Sequence, residues 1–208
     1  LLSADQTRAA EPALAPALRA AFRVPGEALI DPWSAPHAYL LQALLNGATL
    51  VRDCAVTGGA FDGAEWHLQT AQGPVRAGIV INAAGLYGDL VDKALTGASP
   101  FTSRPRKGQF VVYDKPAAAL AGHILLPVPG ATTKGIVVCR TAYGNLLVGP
   151  TAEDQDDRDT ATLVPETLAA LQRRGAEILP ALAEQEITAI YAGLRPACAA
   201  KDYQIRAE

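Results

Sequence analysis

The sequence contains no methionine and only three cysteines and three histidines. Cys54, Cys139 and Cys198 lie far apart and form no CxxC pair, which argues against a disulfide framework or a zinc site. We expect buried thiols in a reducing compartment, the cytoplasm. The histidines also lack the spacing of metal ligands, so the sequence predicts no metal site.

Long apolar runs and an excess of one charge are also missing. No run approaches the ~20 residues that a membrane helix needs, and the first residues do not resemble a signal peptide. The net charge of −3, with Lys and Arg scattered, gives no reason to expect a nucleic-acid partner. A length of 208 residues suits one large domain or two small ones. Because the chain has no initiator Met, we interpret it as a piece of a longer polypeptide, whose membrane association stays open.

Residues 78–89 form the most informative stretch. The apolar, β-branched run at residues 79–81 predicts a strand buried on both faces. Small residues follow at 82–85, and the pattern of residues 86–95 predicts an amphipathic helix. Such an arrangement is either a tight turn without a ligand or a place where helix N–H groups meet a phosphate.

The remaining patterns predict an α+β fold. Ser34 should cap a helix over residues 35–46 whose leucines are buried. A three-stranded meander should follow over residues 48–81, with its first turn in the loop from Gly58-Gly59 to Gly63. Residues 106–114, 135–141 and 146–150 predict strands, the last two joined as a hairpin. A helix should begin near Pro165 and a last strand should span residues 187–194. The acidic residues 153–159 lack EF-hand spacing and indicate a solvated loop.

Two basic segments could bind an anion. Arg195, in Ala-Gly-Leu-Arg-Pro just after the last strand, could hold a carboxylate or phosphate through two hydrogen bonds, or could pair with the acidic loop. Lys107-Gly108-Gln109 starts a strand, where Lys107 and Gln109 could contact an anion. The alternative is structural: Gly108 marks a bulge or the start of the strand.

These segments, in this order, resemble the D-amino-acid oxidase superfamily, which includes FAD-dependent glycerol-3-phosphate dehydrogenases and 2-hydroxy-acid oxidases. Asn82-Ala83-Ala84-Gly85 is similar to its second flavin-contacting turn, and Lys107-Gly108-Gln109 to the start of its substrate domain. Arg195-Pro196 with Gln204-Ile205-Arg206 resembles the segment whose Arg holds the substrate carboxylate. Residues 147–153 resemble a hairpin end of the glycerol-3-phosphate dehydrogenases.

The resemblance implies FAD as cofactor and a small anionic substrate. Its cofactor-binding residues would be Val56, on the adenine side, with Ala83, Ala84 and Gly85, and its substrate-binding residues would be Arg195, Lys107 and Gln109. His123 falls near an active-site Tyr of the amino-acid oxidases and becomes the catalytic candidate, with a packing role as the alternative. Residues 1–99 would be part of a Rossmann-like FAD domain. Residues 100–208 would be a substrate domain with a mixed or antiparallel sheet and a helix on one face.

The chain departs from the superfamily at both ends. It contains neither the GxGxxG turn that holds the FAD pyrophosphate nor the final glycine-rich flavin segment. We therefore expect the central part of a flavoenzyme that by itself is inactive and binds no FAD. The expected reaction of the intact enzyme is oxidation of an anionic alcohol, glycerol 3-phosphate. Oxidation of an amino acid or 2-hydroxy acid is the alternative, and a non-catalytic binding module is the second.

Overall fold

Most strands of the chain follow one another in runs between the helices, as expected for an α+β protein. The computed structural model describes residues 1–128, 135–200 and 205–207. In chain order, the helices and strands are β1 (Leu2–Ser3), α1 (Ala4–Ala10), β2 (Ala20–Ala21), α2 (Ser34–Leu45), β3 (Val56–Phe61), β4 (Trp66–Thr70), β5 (Gly73–Ala77), α3 (Gly88–Thr96), β6 (Arg104–Tyr113), β7 (Val137–Arg140), β8 (Leu146–Gly149), β9 (Glu153–Asp154), α4 (Pro165–Ile178) and β10 (Ile187–Ala197). Short 3₁₀ helices lie at Gly85–Tyr87, Lys115–Leu120 and Pro180–Glu184. The described helices include none that is long and apolar enough to cross a membrane.

The predicted meander is an antiparallel sheet in the order β3-β4-β5. Gly58 and Gly59, predicted to form its first turn, instead lie inside β3. A Cβ on Gly59 would lie 2.8 Å from the His67 carbonyl oxygen and 3.0 Å from side-chain carbons of Leu68 and Leu95. The glycine therefore serves the close approach of β4 and α3 rather than a turn.

The strand predicted at residues 79–81 does not form. Residues 78–84 have no helix or strand assignment, and Ile79 and Ile81 are 82% and 85% exposed. A strand exists through hydrogen bonds to a neighbour, and within the described part of the chain no strand pairs with this segment.

The second sheet has the order β10-β6-β8-β7, and β9 also pairs with β6. β8 is antiparallel to both β6 and β7, so the predicted hairpin is confirmed. The last strand is longer than predicted and continues through Arg195 and Pro196 to Ala197. Proline is compatible with this position because β10 lies at the edge of the described sheet.

The main hydrophobic core lies between this sheet and α4, so the predicted helix on one face is confirmed. Leu168, Leu171 and Gly175 of α4 are buried. Gly175 allows close packing, since a Cβ there would lie 3.3 Å from the methyl groups of Val148 in β8. The core residues are Val111, Tyr113, Ala117, Ala121, Ile136, Val138, Leu146, Val148, Leu168, Leu171, Leu179 and Leu182.

Helix α2 differs from the prediction in its cap and in its burial. Ser34 is its first residue, and the Asp31 carboxylate accepts hydrogen bonds from the backbone N–H groups of Trp33 and Ser34 at 3.1 and 3.3 Å. None of the residues of α2 is buried, and the leucines expected to form a buried stripe are exposed: Leu40, Leu41, Leu44 and Leu45. The described chain supplies no surface that covers them.

Contacts group the chain into two discontinuous units. The first comprises Leu1–Tyr39, Lys107–Glu153 and Ala161–Gly193, and the second comprises Leu40–Arg106, Asp154–Thr160 and Leu194–Glu208. The functional division into residues 1–99 and 100–208 stays a prediction, because compactness by itself does not identify a cofactor or substrate domain.

Candidate functional site

The turn at residues 82–85 is organised by the side chain of Asn82. Its Oδ1 accepts from the Ala84 N–H at 3.2 Å, while its Nδ2 donates to the Gly88 carbonyl at 2.8 Å and to Asp92 Oδ1 at 2.6 Å. Gly85 has a φ of 57°, which glycine adopts without strain, and nothing lies within 4 Å of a Cβ built there. The turn is therefore shaped by its own sequence and has open space above it.

The backbone donors of this turn fit an anionic or polar ligand. Ala83, Ala84 and Gly85 are exposed. Among the described residues, none accepts a hydrogen bond from the N–H of Ala83 or Gly85. These donors precede the 3₁₀ turn Gly85–Tyr87 and the first turn of α3. Such donors at the start of a helix can bind a phosphate or a ring oxygen.

Asp154, Asp156, Asp157 and Asp159 of the acidic loop are exposed, as predicted, and Arg158 anchors the loop to α3. Its Nη1 lies 2.6 Å from Asp89 Oδ1, and its Nη2 lies 3.0 Å from Asp89 Oδ2. Asp89 is 1% exposed and Arg158 18%. The hydrogen bond from Arg158 lowers the pKa of Asp89 despite the opposing effect of burial. The sequence offered one signal, since Arg158 is the only basic residue among residues 153–159.

Lys107 and Gln109 meet at Glu153. Gln109 is 0% exposed; its Nε2 donates to Glu153 Oε1 at 2.8 Å, and its Oε1 accepts from the Val164 N–H at 2.7 Å. Lys107 Nζ lies 3.4 Å from Glu153 Oε2. Burial raises the pKa of Glu153, but hydrogen bonds from Thr151 and Gln109 and the Lys107 charge bring it below its usual value. These contacts hold β6 to the segments after β8, and a substrate role for Lys107 and Gln109 stays a prediction.

His123 contacts a carboxylate that the sequence analysis did not single out. Its Nδ1 hydrogen-bonds to Glu11 Oε1, and both Glu11 oxygens accept from the Gly122 N–H at 2.9 and 3.0 Å. Glu11 is buried, whereas the His123 side chain is half exposed. Leu125 bridges Val138 of β7, so His123 lies beyond β7, which is itself separated from β6 by β8. The structure does not bring His123 together with Gln109.

Arg195 is an exposed residue within β10, rather than just beyond a strand end. Gly193 precedes it, and nothing lies within 4 Å of a Cβ built on Gly193. Of the segment that strengthened the resemblance, Gln204 lies outside the described residues. The anion-binding role of Arg195 therefore stays a prediction.

Val56, the residue predicted on the adenine side, is the first residue of β3 and pairs with Thr70. At the far end of this sheet, ligand atoms of Asp62, Glu65 and His67 lie within 4.8 Å of one another. Backbone hydrogen bonds from Glu65 and Ala64 lower the pKa of Asp62 to about 2. The Arg76 guanidinium pairs with Glu65 and His67 hydrogen-bonds to Asp62, so each of these three side chains has a partner within the protein.

Comparison with known proteins places these features in a family. A protein-family model described as DAO, FAD dependent oxidoreductase, matches residues 1–207. The chain therefore belongs to this family of FAD-dependent oxidoreductases, and the resemblance to the D-amino-acid oxidase superfamily is confirmed.

Particular members act on glycerol 3-phosphate. The chain is 29% identical over 201 residues to glycerol 3-phosphate oxidase of Mycoplasma pneumoniae, a match that covers 94% of this chain and 52% of that protein. It is 27% identical over 183 residues to glycerol 3-phosphate dehydrogenase of Caloramator mitchellensis, covering 86% of this chain and 38% of that protein.

A solved structure supports the fold. The dithionite-reduced L-α-glycerophosphate oxidase of Mycoplasma pneumoniae, with FAD bound, matches with a TM-score of 0.83 and 28% identity. The match covers 96% of this chain and 53% of that one. The chain thus spans about two fifths to one half of the relatives that it matches.

Proposed function

We propose that the whole protein containing this chain oxidises glycerol 3-phosphate with FAD as the hydride acceptor. The observation that carries the proposal is the similarity to glycerol 3-phosphate oxidase over 94% of the chain. The pattern at residues 147–153 supports the same substrate. The chain would contribute the substrate-binding part of the enzyme and one side of the FAD site.

In this proposal the exposed turn of Ala83, Ala84 and Gly85 contacts the flavin, and Val56 lies toward the adenine. Support comes from the open space above Gly85 and from the unoccupied N–H groups of Ala83 and Gly85. Bound FAD would accept a hydride from the carbon that carries the substrate hydroxyl.

Cationic and amide side chains would bind the phosphate of the substrate. Arg195 is the main candidate, because a guanidinium can donate two parallel hydrogen bonds to one anion. Lys107 and Gln109 are the second group, and in that arrangement a base other than His123 would be needed, because the structure does not bring Gln109 and His123 together. Lys107 and Gln109 are both held by Glu153 in this structure, so a substrate role requires that they reach the anion while keeping, or exchanging, that partner.

His123 is the proposed general base. The Glu11 carboxylate can only accept a hydrogen bond, so His123 Nδ1 donates and Nε2 is the nitrogen that can accept the hydroxyl proton. A buried carboxylate behind an imidazole also stabilises the imidazolium that forms when the base takes a proton. This arrangement favours a catalytic role for His123 over a packing role.

The test is turnover by the purified whole protein with an artificial electron acceptor. Glycerol 3-phosphate should be oxidised with a higher kcat/KM than glycine, a panel of D- and L-amino acids, 2-hydroxy acids and neutral glycerol. A preference for glycine or a 2-hydroxy acid would replace the substrate while keeping the flavin chemistry. A protein without bound flavin and without turnover on any substrate would contradict the proposal.

A further inference from the structure

Arg158 joins three separate segments next to the turn at residues 82–85. Besides its two contacts with Asp89, it donates to the Leu86 carbonyl oxygen through Nη1 and to the Ser103 carbonyl oxygen through Nη2, the latter at 3.0 Å. Leu86 belongs to the 3₁₀ turn, Asp89 to α3, and Ser103 to the segment before β6. One guanidinium therefore fixes the backbone just after Gly85.

Neighbouring contacts hold the same turn. The Tyr87 hydroxyl donates to Asp159 Oδ1, from the residue after Arg158. On the side of α3, Asn82 accepts from Ala84 and donates to Gly88. The turn is thus held at both ends by side chains, while the N–H groups of Ala83 and Gly85 are left for another acceptor.

Arg158 also changes the charge at the start of α3. Asp89 is buried in the first turn of this helix. A carboxylate there occupies the positive end of the helix dipole and would repel an anionic ligand. The bidentate contact with Arg158 compensates this charge, so the exposed N–H groups keep their preference for an electronegative ligand.

We propose that Arg158 is a positioning residue for FAD. It holds the Leu86 carbonyl and the Asp89 carboxylate so that the Ala83 and Gly85 N–H groups are preorganised for the flavin. This inference rests on the proposed function, since it assumes that the turn contacts FAD. Arg158 itself acts only through the turn, because its donors are directed to Leu86, Asp89 and Ser103.

The test compares Arg158→Lys with Arg106→Lys in the whole protein. Arg106 is a matched control: it contacts Asp154 of the same loop through two atoms, at 2.6 and 3.1 Å, the pair is exposed, and none of its hydrogen bonds goes to residues 82–89. FAD affinity is measured by fluorescence titration of the apoprotein, and amide hydrogen exchange is followed for residues 83–88. Tyr87→Phe, which removes only the contact with Asp159, serves as a second variant if Arg158→Lys does not fold.

We expect Arg158→Lys to weaken FAD binding at least tenfold and to speed amide exchange at residues 83–88, with Arg106→Lys unchanged in both. For Tyr87→Phe we expect a smaller loss, about threefold. A purely structural role would lower the melting temperature but leave the FAD affinity of the folded apoprotein unchanged, and that result would overturn the inference. Equal loss in Arg158→Lys and Arg106→Lys would also overturn it. If the unsubstituted protein binds no FAD, the proposed function itself fails.

Discussion

Glu11 and His123 are 112 residues apart in sequence and are joined by a hydrogen bond from the imidazole Nδ1 to the Glu11 carboxylate. Glu11 lies just after α1, and His123 follows the 3₁₀ helix Lys115–Leu120. Because Glu11 also accepts the Gly122 N–H, the backbone next to the imidazole is fixed together with its ring. This pair gives the proposed base a defined orientation.

Replacing His123 by Gln should lower kcat about 10²–10⁴-fold, the usual contribution of a general base. Glu11→Gln should lower kcat about tenfold, because the amide keeps an acceptor for Gly122 but cannot stabilise the imidazolium. Steady-state kinetics and thermal melting on the same preparations separate catalysis from folding. The exposed Glu177→Gln is the control and should change neither. Normal kcat in both His123→Gln and Glu11→Gln would return His123 to a packing role.

Arg195→Lys should reduce kcat/KM for glycerol 3-phosphate by about one to two orders of magnitude. Lysine keeps the charge but loses the planar fork, and a charge-assisted hydrogen bond contributes roughly 1.5–3 kcal/mol. The control is Arg104→Lys, because Arg104 is exposed and its Nε lies 3.7 Å from Asp156 Oδ1. This variant should retain full activity. Unchanged kinetics in Arg195→Lys, with glycerol 3-phosphate at subsaturating concentration, would remove Arg195 from the substrate site.

Gly59→Ala should lower the free energy of unfolding by about 1–3 kcal/mol, the usual effect of overpacking. The added methyl group would lie 2.8 Å from the His67 carbonyl oxygen, so β4 or α3 must move. Gly78→Ala is the control, because nothing lies within 4 Å of its Cβ, and it should remain within about 0.5 kcal/mol. Denaturant titration measures both variants. Equal free energies of unfolding for the two variants would mean that β3 does not pack closely against β4 and α3 at Gly59.

Arg158→Met should destabilise the protein by about 3–5 kcal/mol at neutral pH, because it leaves the Asp89 carboxylate buried without its partner. Arg106→Met, at the exposed pair with Asp154, should leave the stability almost unchanged. Denaturant titration as a function of pH gives a further check on the buried pair.

The pH dependence follows from the direction of the Asp89 shift. In the unsubstituted protein the pKa of Asp89 is lowered, so the stabilisation is complete above the unfolded value of about 3.9 and is lost as the pH falls below it. In Arg158→Met the unpaired carboxylate should have a raised pKa and gain stability on protonation. The difference between the two proteins should therefore shrink as the pH falls from 7 toward 4. A difference independent of pH would contradict the ion-pair account.

Local sequence patterns predicted those elements whose partners lie within the chain. The hairpin of β7 and β8 and the helix on one face of the second sheet were predicted, because both pack against a core that this chain forms. The predictions of a strand at residues 79–81 and of buried Leu40 and Leu44 were wrong. The apolar character of these residues indicates a buried environment, but the described residues supply neither a pairing strand nor a covering surface.

The candidate site was predictable only in part. The turn at Asn82 to Gly85 was predictable, because a run of small residues indicates a tight turn that another group can approach closely. Two carboxylate contacts were not predictable: Asp89 with Arg158 beside this turn, and Glu11 with His123 in the other unit, since the paired residues are 69 and 112 residues apart in sequence. Long-range pairs of this kind depend on the tertiary arrangement, which periodicity does not encode.

The most direct test is anaerobic reduction of the bound flavin in the whole protein by substrate. The reduction is monitored as the loss of the flavin's visible absorption after mixing. Glycerol 3-phosphate should bleach the flavin completely and at a rate that saturates with concentration, whereas neutral glycerol at the same concentration should leave it oxidised. A flavin that stays oxidised with glycerol 3-phosphate, yet is bleached by dithionite, would contradict the proposed oxidation of this substrate.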